Sequence, residues 1–140
     1  MPSILLVEDD LDVLFLLEHT LRTAGYHVES ATTERGARSF LDRHSYDLVL
    51  ADGLLSDGTG IAVADKASGN GTKTLIITGY ASRFPREDLL RHPYLLKPLR
   101  PDELLKEVER TLSRRAVCWV FLPDQITAAG YVAPRVWSGT

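Results

Sequence analysis

The sequence predicts an α/β fold: a parallel sheet of five strands covered by helices on both faces. Short apolar runs of β type alternate five times with stretches of helical period, and the central runs lack polar alternation, as strands buried on both faces do. The length of 140 residues suits one ordinary domain and is too short for a second catalytic or DNA-binding unit beside it.

The first strand is Ile4 to Val7, and after it Val13, Leu16, Leu17 and Leu21 recur at helical spacing. That helix stops at Gly25, a residue suited to a left-handed turn. His27 to Ser30 reads as the second strand and Thr33 to Arg43 as the second helix, with Ala37, Phe40 and Leu41 inward. Leu48 to Ala51 is the third strand, and a third helix runs from Gly60 through Ala67. Thr74 to Thr78 is the fourth strand, a short helix lies around Pro85 to Arg91, and Tyr94 to Leu96 is the fifth strand. The first, third and fourth runs are apolar enough to be central, which leaves the second and fifth outside. The last helix opens on Pro101, carries Asp102 and Glu103 at its positive end, and shows a stripe of Leu104, Leu105, Val108 and Leu112. The expected division is a folded domain over residues 1–115 and an extension over 116–140, which holds Trp119 and Trp137 and only two charged residues, Asp124 and Arg135.

Composition narrows the function classes. Hydrophobic residues at 44% and charged residues at 25% are values of a soluble globular chain. The only cysteine, Cys118, excludes an intramolecular disulfide and a cysteine-rich zinc site, and suits a reducing cytoplasm. The start lacks the basic flank of a signal peptide, and no apolar stretch approaches the roughly 18 residues of a spanning helix, so a cytoplasmic protein without membrane contact is expected. Residues 1–82 carry 6 basic and 12 acidic side chains, and residues 83–115 carry 9 and 6. An acidic site and a mildly basic contact surface fit that partition; neither part is basic enough for nucleic acid.

In open parallel sheets the functional crevice lies beyond the carboxyl ends of the strands. There the sequence has Glu8-Asp9-Asp10 after the first strand, Asp52 after the third, Thr78-Gly79 after the fourth and Lys97-Pro98 after the fifth. Each alone has an ordinary reading: acids at the positive end of a helix, a turn aspartate, a strand-end hydroxyl, a solvated lysine. Four strand ends each carrying the type one site needs make the conjunction informative. Clustered carboxylates about 4 Å apart repel by roughly 4 kcal/mol per pair at an effective dielectric near 20, so a cation is required, and Mg2+ suits carboxylate oxygens.

The segments Ile4-Leu-Leu-Val-Glu-Asp-Asp10, Tyr46-Asp-Leu-Val-Leu-Ala-Asp52, Ile76-Ile-Thr-Gly-Tyr80 and Tyr94-Leu-Leu-Lys-Pro98, with Gly60 eight residues beyond Asp52, resemble the receiver domain of bacterial two-component response regulators. The resemblance covers residues 3 to about 115 and implies a flavodoxin-like, doubly wound sheet of order 2-1-3-4-5. It implies Asp52 as phosphoacceptor, Asp9 and Asp10 as the acidic magnesium pair with Asp52 and the Gly53 carbonyl, and Glu8 as auxiliary. Thr78 and Lys97 then act on the phosphoryl group, Thr78 and Tyr94 form the switch, and Pro98 follows a cis peptide bond. Leu54 and Tyr80 flank the path of an attacking water and imply slow self-dephosphorylation. A histidine kinase or phosphotransfer protein is implied upstream and a protein partner downstream, contacting the last two strands and helices where Arg83, Arg86, Arg91 and Arg100 lie; a homodimer stays open.

Two departures stand out. Ser56 occupies the position four residues beyond Asp52 where the family commonly has proline, and the stretch between Thr78 and Lys97 is short for a full fourth helix. An enzyme is disfavoured: Gly58-Thr-Gly60 lacks the third glycine of a dinucleotide loop, since Val63 stands there, and an aspartate-nucleophile phosphatase would carry a second aspartate at Leu54. The alternatives left are an interaction module that works without phosphorylation and a receiver piece of a hybrid sensor kinase.

Overall fold

The structure, a computed structural model, describes residues 1–79, 83–98 and 100–114. Their element order is β1 (Ser3–Val7), α1 (Leu11–Thr23), β2 (His27–Ala31), α2 (Glu34–Arg43), β3 (Leu48–Asp52), β4 (Leu54–Leu55), β5 (Gly58–Thr59), α3 (Gly60–Gly69), β6 (Lys73–Thr78), α4 (Arg86–Leu90), β7 (Tyr94–Leu96) and α5 (Pro101–Ser113). Five strands form one parallel sheet in the order β2-β1-β3-β6-β7, the expected doubly wound order, and β4 pairs with β5 in a separate antiparallel hairpin. Among the described residues no helix is long and apolar enough to cross a membrane.

Alternation along the central strands builds two cores. Ile4, Leu6, Leu48, Leu50, Leu75 and Ile77 meet Leu21 of α1 and Leu104 and Val108 of α5 on one face. Leu5, Val7, Val49, Ala51 and Ile76 meet Ala37 and Leu41 of α2 and Ile61, Val63, Ala64 and Ala67 of α3 on the other. Every second residue therefore serves one face, and a run with no polar residue fills both.

Local signals set the helix ends. The Asp10 carboxylate accepts from the Asp12 and Val13 amides, Thr33 caps α2 through the Gly36 amide, and Thr59 caps α3 through the Ala62 amide. Gly25 has φ +102°, the left-handed conformation expected at the end of α1. α4 is five residues long, in line with the short fourth helix read from the sequence. Two expectations fail. Leu16, assigned to the buried stripe of α1, is 56% exposed, because Leu14, Leu17 and Leu21 already cover the sheet. The β4–β5 hairpin was not expected, since two strands of two residues leave no periodicity to read. The extension over 116–140 lies outside the described residues.

Candidate functional site

Register decides which strand-end residues meet. Val7 pairs with Ala51, Asp52 with Ile77, and Thr78 with Leu96, so continuing each strand by one step aligns Glu8, Asp52, Thr78 and Lys97 along one edge of the sheet. Backbone hydrogen bonds extend that alignment past the strands: Gly53 N–H donates to the Ile77 carbonyl and Lys97 N–H to the Thr78 carbonyl, both at 2.9 Å. The Lys97–Pro98 peptide bond is cis.

At this edge Lys97 Nζ lies 3.1 Å from Glu8 Oε1 and 3.4 Å from Asp52 Oδ2. Carboxylate oxygens of Glu8, Asp9 and Asp52 lie within 4.8 Å of one another. Glu8 is only 2% exposed. Burial pushes its carboxyl up to about 7, the Asp52 charge adds to that, and the Asp10 amide and Lys97 pull the other way without prevailing. For Lys97 burial opposes the ammonium, but Asp52 and then Glu8 outweigh it and raise its pKa.

With Glu8 ionised, three carboxylates face one ammonium and leave two negative charges uncompensated; with Glu8 protonated, one is left. A hard divalent cation with oxygen preference fits both the donor set and the deficit. A cavity of about 490 Å³ lined by Met1, Pro2, Tyr46, Asp47, Lys73 and Leu112 sits at the opposite edge, where strands β3 and β6 begin, and has no part in this chemistry.

Glycines permit the close approach. A Cβ on Gly53 would stand 2.9 Å from Thr78 Cβ and Oγ1 and 3.1 Å from Phe84 Cε2, and one on Gly60 would stand 2.1 Å from the Asp52 carbonyl oxygen. Thr78 itself is fully buried.

The response regulator receiver domain family matches residues 4–109, most of the chain. The chain belongs to the response regulator receiver family. Members of this family are phospho-accepting switches rather than classical enzymes. The receiver is 33% identical over 117 residues to the response regulator receiver protein CpdR of Brucella abortus, covering 80% of this chain and 98% of that protein. It is 34% identical over 116 residues to the transcriptional regulatory protein ZraR of Escherichia coli K12, covering 79% of this chain but only 26% of ZraR. It superimposes with a TM-score of 0.71 and 28% identity on the receiver domain of the sensor histidine kinase PA1611 from Pseudomonas aeruginosa, a structure with a magnesium ion coordinated in its active site cleft; 81% of this chain and 98% of that one are covered.

The structure brings Asp9, Asp52, Thr78 and Lys97 to one edge of the receiver, with Glu8 beside them. Asp10 does not join the cluster. Its Oδ1 accepts from Asp12 N–H at 3.0 Å and Val13 N–H at 3.3 Å, so that oxygen caps the first turn of α1. The buried member beside Asp9 is Glu8, read from the sequence as merely auxiliary. Three consecutive acids look alike in sequence; only the first continues β1 into the row beside Asp52.

The Gly53 carbonyl accepts the Gly60 amide at 3.0 Å. Antiparallel pairs alternate between bonded and non-bonded, so the next pair, Leu54 with Thr59, is non-bonded and the Leu54 carbonyl points out of the hairpin. Tyr94 is half-buried and packs against the core shared by α2 and α3. Tyr80 lies outside the described residues. Of the arginines read as a basic contact surface, Arg91 is paired with Asp65 and Asp88, and Arg100 with Asp102.

Proposed function

We propose that this receiver takes a phosphoryl group onto Asp52 from a histidine kinase or phosphotransfer protein, with Mg2+ required, and thereby switches a protein-interaction surface. The single observation that carries the reading is the uncompensated carboxylate cluster of Glu8, Asp9 and Asp52 with Lys97 Nζ 3.4 Å from the acceptor. A binding-only module would gain stability by losing such charges. The magnesium-bound cleft of the PA1611 receiver supports the same reading.

Asp9 and Asp52 would hold the cation, with Glu8 behind them and the Leu54 carbonyl, freed by the hairpin register, in the part first given to Gly53. Bound there, Mg2+ supplies charge neutralisation and fixes phosphoryl oxygens. An Asp52 oxygen attacks phosphorus in line; the bond from phosphorus to the donor's nitrogen or oxygen breaks, and its electron pair leaves with the donor. Lys97 neutralises charge on the transferring group, and positioning with electrostatics supplies the catalysis. The acyl phosphate adds charge and acceptor oxygens next to the buried Thr78 hydroxyl, and recruiting that hydroxyl favours one of two loop arrangements, to which the half-buried Tyr94 responds. Leu54, two residues past the acceptor, shields the acyl phosphate from water, so a long phosphoryl lifetime is expected. On this reading residues 1–115 are the receiver and 116–140 an extension.

The test is intact mass after treatment with acetyl phosphate and Mg2+. One phosphoryl group should add to the wild type, and none to Asp52→Asn or to wild type with excess chelator. A wild type that stays unmodified while a control receiver reacts would establish the phosphorylation-independent module instead.

A further inference from the structure

We propose that Asp57 and Glu34 are positioning residues for the phosphoacceptor loop, clamping the β4–β5 hairpin onto the N-terminus of α2. The inference rests on the phosphoacceptor reading and adds residues that reading does not use.

The hairpin needs an external anchor. Each strand has two residues, joined through Ser56 and Asp57, and isolated pairs are marginal even when much longer. Two-residue connections hold themselves together mainly through turns of positive φ, yet only Gly25 and Gly71 have positive φ among the described residues. The hairpin turn therefore lacks the twist that would make it self-supporting.

α2 supplies the anchor. Asp57 Oδ1 accepts from the Glu34 amide at 2.7 Å and Oδ2 from the Arg35 amide at 3.1 Å, two of the first-turn donors that no helical carbonyl reaches. These bonds hold the Asp57 carboxyl below the usual carboxylate range. From the other side, Glu34 Oε1 accepts the Thr59 amide at 3.1 Å while Oε2 takes Arg38 Nε at 2.9 Å, so both oxygens are fixed. A Cβ on Gly58 would lie 1.7 Å from Glu34 Oε1, so the contact requires glycine there. One clamp thus grips the tip and the returning strand.

Both ends of the hairpin rest on Asp52. Gly53 follows it directly and bonds Gly60, whose Cα lies so close to the Asp52 carbonyl that no side chain fits. Releasing the tip lets Gly53 and Leu54 drift beside the acceptor carboxylate. The clamp does the work that a rigid proline would do at Ser56.

The full chain should be compared as wild type, Asp57→Ala and Thr33→Ala. Thr33 caps the same helix through the Gly36 amide at 3.0 Å, whereas the hairpin bonds come from Asp57 and Glu34, so its variant controls for a loosened α2. Mg2+ affinity is read by calorimetry, and exchange of the Gly60 amide is read by NMR in metal-free protein. Asp57→Ala is expected to weaken Mg2+ binding about tenfold, the usual scale for losing a residue that orients a ligand, and to speed Gly60 exchange. Thr33→Ala should leave both within about twofold. Wild-type affinity in Asp57→Ala, or an equal loss in Thr33→Ala, overturns the clamp while the phosphoacceptor reading stands. A wild type that binds no Mg2+ overturns both.

Discussion

Two clusters in this receiver are made from the same ingredients, and they differ in what is left over. At the carboxyl edge of the sheet, Glu8, Asp9 and Asp52 share Lys97. Between α3, β6 and α4, the buried His92 sits between Thr74 and Asp65, with Nδ1 2.8 Å from Thr74 Oγ1 and Nε2 2.7 Å from Asp65 Oδ1. Burial lowers the His92 pKa despite Asp65, so the ring is neutral at pH 7. A carboxylate can only accept, which places the proton on Nε2 and makes Nδ1 the acceptor of the Thr74 hydroxyl. Arg91 completes Asp65 with bonds of 3.1 and 2.9 Å. The second cluster is closed: each ring nitrogen of His92 has a partner. The first is open: Glu8, Asp9 and Asp52 share a single ammonium, and their charges stay uncompensated once Glu8 ionises.

The sharpest way to break this comparison is to neutralise one member on each side and watch the sign. Glu8→Gln should stabilise the metal-free protein at pH 8, by up to roughly 3 kcal/mol, since a carboxyl raised from 4.5 to about 7 is costly to ionise at about 1.4 kcal/mol per unit. The folded protein holds the Glu8 proton more tightly than the unfolded chain, so wild-type stability falls as pH rises from 4.5 through about 7. Glu8→Gln should flatten that slope in thermal melts with chelator present. A variant that melts lower than wild type at pH 8 would mean the cluster is structural.

Thr74→Val should have the opposite sign and a smaller size, a loss of roughly 1–2 kcal/mol in denaturant unfolding, because the shape is kept and His92 Nδ1 is left without its donor. For His92 itself the folded pKa lies below 6.5, so the unfolded chain binds the extra proton first and this cluster's contribution declines as pH falls below 6.5. The smallest effect belongs to Arg100→Ala. Its pair with Asp102 joins side chains 75% and 70% exposed, and the melting midpoint should not move measurably.

Much of this receiver was legible before any coordinates. Periodicity located all five strands of the main sheet, Gly25 and Pro101 marked helix ends, and reading the carboxyl end of each strand found Asp52, Thr78 and Lys97. Those features are local, because side-chain type and spacing of a few residues fix them. Three things were not legible. Which of Glu8, Asp9 and Asp10 faces Asp52 depends on where β1 yields to α1, and adjacent residues of one charge differ only in the direction their backbone gives them. The Gly53 carbonyl is engaged or free according to a hairpin too short to show a pattern. The partners of Asp57 lie 22 and 23 residues away, where only the packing of α2 beside the returning loop could bring them.

The sequence by itself therefore determined the sheet, the order of its helices and the chemical types gathered at its carboxyl edge, since each is written in short-range spacing. The tertiary structure alone decided which carboxylates cluster, which one caps a helix, and what braces the loop after Asp52. Those outcomes depend on strand register and helix placement, and no stretch of a few residues contains that information.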